Sequence, residues 1–331
     1  MKASIFFPRF NFYLEFRDPS ALILTSGFWL LASSMKGTKM LAKETLKKVK
    51  KIQLKISRLS NDAMSGHYTS VFKGMGIEFD EVRAYIPGDD VRAIDWNVTA
   101  RTGIPYIKRY IEERELTIML LVDLSASQRF GTINSLKSDL AAEISALLAF
   151  LAIQNNDKVG LLIFSDHAET FIPPQKGRHH VLRVVREILS YRPTGTRTNI
   201  SAALEFVNRI LKHRSIIFLL SDFLDTEFER PLQHLSRHHD LIAIDINDPR
   251  EFEMPSVGLV ELEDRETGAR ITLDTSESSV RDIIKNEAIK RKNATNKLFK
   301  HNRIDRIEIS TDRSYVEPLQ KFFRKRERRI R

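Results

Sequence analysis

The chain contains no cysteine. Disulfides, thiolate metal centres and a cysteine nucleophile are therefore excluded, and a reducing cytoplasm fits. Phosphate-cradling and nucleophile motifs are missing too. There is no G-x-x-x-x-G-K-[ST] loop and no G-x-S-x-G elbow, so ATP hydrolysis must belong to another chain. Long apolar runs are scarce. The uncharged stretch Pro19 to Met35 is at the lower limit for a bilayer span, and Thr25, Ser26, Gly27, Ser33 and Ser34 weaken it. As a signal peptide it is poor, because Glu15 and Asp18 interrupt the basic leader. Translation starting at Met35 or Met40 is the other reading of residues 1–40. If the stretch spans a membrane, Lys36, Lys39 and Lys43 hold the remainder in the cytoplasm.

What is present is globular: 42% hydrophobic and 29% charged residues supply a core and a solvated surface. The net charge of +10 is concentrated in Lys36 to Arg58 and in the tail Lys321 to Arg331. Both runs are terminal and poor in aromatics, so specific nucleic-acid binding is the last choice. Solvated helix faces come first, followed by peripheral contact with anionic lipid or an acidic partner.

Three regions follow: an extension over 1–40, a basic helix and β-rich lead-in over 41–115, and an α/β domain over 116–331. Leu46, Val49, Ile52, Ile56 and Leu59 recur at helical spacing between lysines. In the lead-in, Glu78–Tyr85 and Ile104–Ile111 read as strands, with Pro87-Gly88-Asp89 as a turn. Beyond Leu116, apolar strands (Leu116–Val122, Val159–Phe164, Ile216–Leu220, Leu241–Ile246) alternate with amphipathic helices. Ala168–Ile172 is a short extra strand. This pattern predicts a mostly parallel sheet with helices on both faces. Leu259–Glu263 and Arg270–Leu273 flank Glu266-Thr267-Gly268 as a hairpin. A long helix, a strand at Asp305–Ile309 and a basic helix close the chain.

In such sheets ligands sit beyond the carboxyl ends of the strands. Asp123-x-Ser125-x-Ser127 follows the first core strand. Thr198 lies in a Thr-Gly-Thr-Arg-Thr-Asn loop, and Asp222 ends a later strand. Alone, each could be a turn or a helix cap. Together they offer two carboxylates and three hydroxyls, hard donors suited to Mg²⁺ or Mn²⁺ rather than zinc. Asp89, Asp90 and Asp95 with Lys108 have two readings. One is a nuclease-like carboxylate cluster of a metal-dependent hydrolase. The other is a knot in which they meet Arg83, Arg92 and Arg101 while Trp96 packs beneath. His179-His180 and His238-His239 read as solvated pairs on helix surfaces.

Asp123, Ser125, Ser127, Thr198 and Asp222 resemble the metal-ion-dependent adhesion site (MIDAS) of von Willebrand factor A domains, where such residues surround Mg²⁺ directly or through water. The lead-in resembles the family called domain of unknown function 58. Its Phe72-Lys73-Gly74-x-Gly76-x-Glu78-Phe79-Asp80, Tyr85-x-Pro87-Gly88-Asp89-Asp90-Val91-Arg92-x-Ile94-Asp95-Trp96 and Thr99-Ala100-Arg101 carry the likeness. That resemblance implies a non-enzymatic, Mg²⁺-dependent protein-binding module. It also implies a MoxR-type AAA ATPase as partner, with the chain as adaptor or co-chaperone in maturing a client protein.

Overall fold

The computed structural model describes residues 78–111, 115–131, 136–264 and 268–330, and singly Tyr68, Val71 and Glu266. The extension over 1–40 and the basic helix expected near 41–59 lie outside the described residues. No helix among the described residues is long and apolar enough to cross a membrane.

The lead-in is a two-stranded antiparallel ribbon, β1 (Glu78–Ala84) and β2 (Tyr106–Ile111), joined through a short helix α1 (Trp96–Thr102). Asp95 caps α1, its carboxylate accepting the Asn97 and Val98 backbone N–H groups that the first turn leaves without helical partners.

The main sheet has six strands: β3 (Thr117–Asp123), β4 (Lys158–Phe164), β5 (Ala168–Gln175), β6 (Ile216–Ser221), β7 (Asp240–Asn247) and β10 (Asp305–Ser310). Their order is β10-β7-β6-β3-β4-β5. All neighbours run parallel except β5, which pairs antiparallel with β4 at the edge. This strand is longer than its apolar residues foretell, and its last third is Pro173-Pro174-Gln175. Prolines lack the N–H that an inner strand needs, so the edge is where such a strand belongs.

The helices are α2 (Lys137–Gln154), α3 (Arg178–Ser190), α4 (Ile200–Ile210), α5 (Glu229–His238), α6 (Ser278–His301) and α7 (Val316–Ile330). Alternation along β3 divides them. Ile118, Leu120 and Val122 pack with α2, α3 and α7, whereas Met119 and Leu121 pack with α4, α5 and the end of α6. The architecture is the α/β class expected, with helices on both faces. Helix α2 departs from the expected one-sided stripe. Ala141, Ala142, Ala146, Ala149 and Ala152 are buried along with its leucines, because these small side chains let neighbours close in all round. A small separate hairpin, β8 (Leu259–Glu263) with β9 (Arg270–Asp274), completes the fold.

The basic C-terminal run is not wholly solvated. Arg326 is buried against Asp240, and Arg329 donates to both Asp305 oxygens at 2.8 and 2.6 Å.

Asp157 links the start of the sheet to the lead-in side. Its carboxylate accepts the Leu116 N–H at 3.1 Å and the Tyr68 hydroxyl at 3.0 Å. Burial raises its pKa to about 6 against these hydrogen bonds. Between the unfolded value near 4 and about 6, the folded state holds a proton that the unfolded state has released, so stability falls as pH rises. Asp157→Asn is expected to remove this component, a slope approaching 1.4 kcal/mol per pH unit at most (~RT ln 10). Urea unfolding of both proteins from pH 4 to 7 tests it; parallel curves would contradict the assignment.

Candidate functional site

Strands β3 and β6 are neighbours at the middle of the sheet, and the chain leaves them in opposite directions, to β4 and to β7. At their carboxyl ends the connecting segments diverge, which opens a crevice.

Asp123 ends β3 with its side chain fully buried. One carboxylate oxygen accepts the Ser125 N–H at 2.9 Å and the other accepts the Ser221 hydroxyl at 2.6 Å. The Ser125 and Ser127 hydroxyls are 3.0 Å apart and share a hydrogen bond, both buried. At the end of β6, Ser221 Oγ also accepts the Phe223 N–H at 3.1 Å. Phe223 has φ +52°, an uncommon conformation for a residue with a side chain. Its ring is pinned edge-on against Phe299, centroids 5.0 Å apart.

Asp222 is buried between these residues and an element that sequence reasoning missed. Its Oδ2 accepts from Lys137 Nζ at 3.0 Å, while its Oδ1 is buried with no hydrogen-bond partner. Lys137, in the first turn of α2, is fully buried and also pairs with Glu251. Burial alone would lower the Lys137 pKa, but the carboxylates of Asp222 and Glu251 outweigh it and hold the amine charged. Burial raises the Asp123 pKa, and the nearby Asp222 charge raises it further. Glu251 is raised by burial against the pull of Lys137. A lysine in the first turn of an apolar, alanine-rich helix, against the helix dipole, was the available signal. Glu251, in a short Pro-Arg-Glu turn after β7, carries none.

Thr198 belongs to a loop laid beside the first. The Ala126 N–H donates to the Thr196 carbonyl at 3.0 Å, and the Asn199 N–H donates to the Ser165 carbonyl at 2.8 Å. Gly195 leaves room for two side chains here, since a Cβ would lie 2.1 Å from Asp166 Oδ1 and 2.3 Å from Ser165 Oγ and both would have to shift. Glu169 anchors the loop. It accepts from the Ser165 and Thr194 hydroxyls and from the Thr194 and Gly195 N–H groups at 2.7–2.9 Å. Burial would raise its pKa, yet these bonds lower it to about 2. The Thr198 hydroxyl itself donates to Glu266 Oε1 at 2.8 Å.

The other expectations fare differently. Asp89 pairs with Arg83 at 2.8 Å, as in the knot. Asp90 accepts the Arg92 backbone N–H instead of its guanidinium, and Asp95 caps α1 and pairs with Lys108 at 3.3 Å. These three aspartates do not form one ion-binding group. Among the described residues, the only three carboxylate or imidazole groups that converge closely enough are Asp166, His167 and Glu169. Trp96 does not pack beneath the knot: as the first residue of α1 it is 69% exposed. Each histidine pair has one buried member. His180 Nε2 meets the Val159 carbonyl at 2.8 Å, and His239 Nδ1 accepts the Ser215 N–H at 3.2 Å.

Residues 81–294 match the family described as Protein of unknown function DUF58. An uncharacterized protein of Mycobacterium tuberculosis is 32% identical over 280 residues, covering 84% of this chain and 88% of its own. An uncharacterized protein of Mycobacterium bovis matches to the same extent, at 32% identity. Among solved structures, BatB from Bacteroides thetaiotaomicron is similar over 64% of this chain and 99% of its own, at TM-score 0.42 and 15% identity. The SpRpn10 VWA domain covers 62% of this chain and 94% of its own, at TM-score 0.35 and 11% identity.

Lys137→Met is expected to strand two buried carboxylates and lower stability by about 3–5 kcal/mol, the cost of breaking a buried pair from one side. Urea unfolding in metal-free buffer measures it. A change within about 0.5 kcal/mol, typical of a surface substitution, would show that the ammonium does not hold the cluster together.

Proposed function

The chain belongs to the DUF58 family, and from that premise we propose that it is a protein-interaction module, not an enzyme, which binds a partner through a divalent cation at the β3–β6 edge. The observation that carries this reading is the buried Asp222 Oδ1, which has no hydrogen-bond partner beside a second buried carboxylate and a pair of buried hydroxyls. A buried acceptor left unmatched is costly, and a cation is what it lacks. The charges agree. Three carboxylates, Asp123, Asp222 and Glu251, face the single ammonium of Lys137, and a divalent ion among them would favour their ionised forms.

Asp123, Ser125, Ser127, Thr198 and Asp222 would hold the ion, and their hard oxygens fit Mg²⁺ or Mn²⁺. Bound there, the ion supplies an electrophilic position that an acidic side chain of the partner completes. Asp123 and Ser221 stay locked by their mutual hydrogen bond, and Lys137 keeps Asp222 oriented. No group of this set is a free general base, which favours binding over hydrolysis. The family resemblance points to a MoxR-type AAA ATPase as partner, with a client protein matured by the pair. The cysteine-free composition fits a cytoplasmic setting.

Thermal unfolding with and without millimolar Mg²⁺ tests the site. The wild type is expected to be stabilised, by about 2.7 kcal/mol once Mg²⁺ is a hundredfold above its dissociation constant, and Asp123→Ala and Asp123→Asn are not. Equal responses in all three would sink the metal assignment. Capture of the ATPase that survives EDTA would remove the ion from the contact.

A further inference from the structure

We propose that Glu266 is an internal ligand of this edge: a carboxylate of the chain itself, presented on the β8–β9 hairpin, that holds the place of a partner's acidic side chain. The inference rests on the cation reading above, and it adds the chemistry of what binds and what must first be displaced.

The contact is long-range. Thr198 Oγ1 donates to Glu266 Oε1 at 2.8 Å across 68 residues of sequence, joining the one hydroxyl of the proposed set that lies outside the β3 segment to a separate two-stranded sheet. The hairpin tip is built to present that residue. Asp264 is buried, and its carboxylate accepts the Glu266 N–H at 2.9 Å. Its backbone carbonyl accepts the Gly268 N–H at 2.7 Å, and its own N–H donates to the Ala269 carbonyl at 2.8 Å. Gly268, at φ +72°, closes the turn in the left-handed region that glycine occupies without strain. Such a turn fixes the backbone at Glu266 and leaves its side chain to reach the rim.

Electrostatics argue for a cation between them. Among the buried groups of the rim the carboxylates Asp123 and Asp222 outnumber the ammonium of Lys137. A further carboxylate brought to the same edge is repelled unless a positive ion faces it. The Thr198 hydroxyl that donates to Glu266 at 2.8 Å becomes a stronger donor to that carboxylate when its oxygen binds a metal.

The hairpin is also displaceable. Its apolar support is small: Met254, Val260 and Leu262 are buried, with Ile271, Leu273 and Ile284 against them. Leu259 on the same hairpin is 68% exposed. A tip held by so little apolar surface opens more readily than the main sheet. The ligand that fits in its place is a single acidic side chain at the tip of a turn, as Glu266 itself is.

The experiment uses the whole chain and the cation alone as probe. Mn²⁺ binding is titrated calorimetrically for wild type, Glu266→Ala, Glu266→Gln and Asp123→Ala. Hydrogen exchange at the Glu266 and Gly268 amides is followed with and without Mg²⁺. Loss of Glu266 is expected to weaken Mn²⁺ about tenfold, the scale of an outer ligand-supporting group. Mg²⁺ is expected to slow exchange at both amides in the wild type and in neither Glu266 variant. If Asp123→Ala abolishes Mn²⁺ binding while the Glu266 variants bind like wild type and exchange ignores Mg²⁺, the internal ligand is refuted and the cation site stands. If wild type itself takes up no Mn²⁺, both ideas fall together.

Discussion

Burying carboxylates at the rim of an apolar sheet is the constraint on which the rest of this structure turns. Asp123 and Asp222 have lost their water, and an ionised carboxylate without water requires either a positive charge or several strong donors. The fold answers with both in part. Two donors satisfy Asp123, and Lys137 satisfies one oxygen of Asp222. Lys137 is itself shared with Glu251, so it cannot neutralise the cluster. Asp222 Oδ1 is left without a hydrogen-bond partner beside a second buried carboxylate and two buried hydroxyls, and that combination of groups is why the position reads as a site.

Topology explains why the constellation assembles there. The residues come from the end of β3, a loop before α4 and the end of β6, some hundred positions apart in the chain. Because β3 and β6 are adjacent and parallel, with Val122 opposite Leu220, the residues that follow each strand emerge side by side. The apolar alternation that splits β3 between two helix layers fixes that register, since a one-residue slip would turn every side chain to the wrong layer.

The strands and these convergent polar residues were legible in the sequence because each is carried by a short-range signal. A run apolar on both faces marks an inner parallel strand, and Asp or Ser immediately after it marks the edge. What was not legible depended on tertiary partners. Lys137 stands out only as a cation at the unfavourable end of a helix dipole, and no local pattern places Asp222 and Glu251 beside it. Trp96 looks like a core residue, yet the Asp95 cap makes it the first residue of α1 and turns it to solvent. His180 and His239 sit in hydrophilic pairs, but the Val159 carbonyl of β4 and the Ser215 N–H just before β6 draw one of each inward. Glu266 fits the hairpin turn that was expected, and nothing in a turn's sequence states which other loop it touches.

The chain's overall charge does not relieve the rim. The cations of α7 that pair with the sheet meet Asp240 and Asp305, the first residues of β7 and β10. In parallel strands those residues lie at the edge opposite the carboxyl ends of β3 and β6. Strands of six to eight residues separate the two edges by about 20 Å at 3.3 Å per residue. That exceeds the screening length of about 8 Å at physiological ionic strength, so a net charge of +10 is of little use to Asp123 and Asp222. Compensation has to be local, and Lys137, the ammonium paired with Asp222, is already divided between two acids. A basic protein can therefore carry an edge that still calls for a cation, because sign is decided at the distance of a hydrogen bond and not by the composition of the whole.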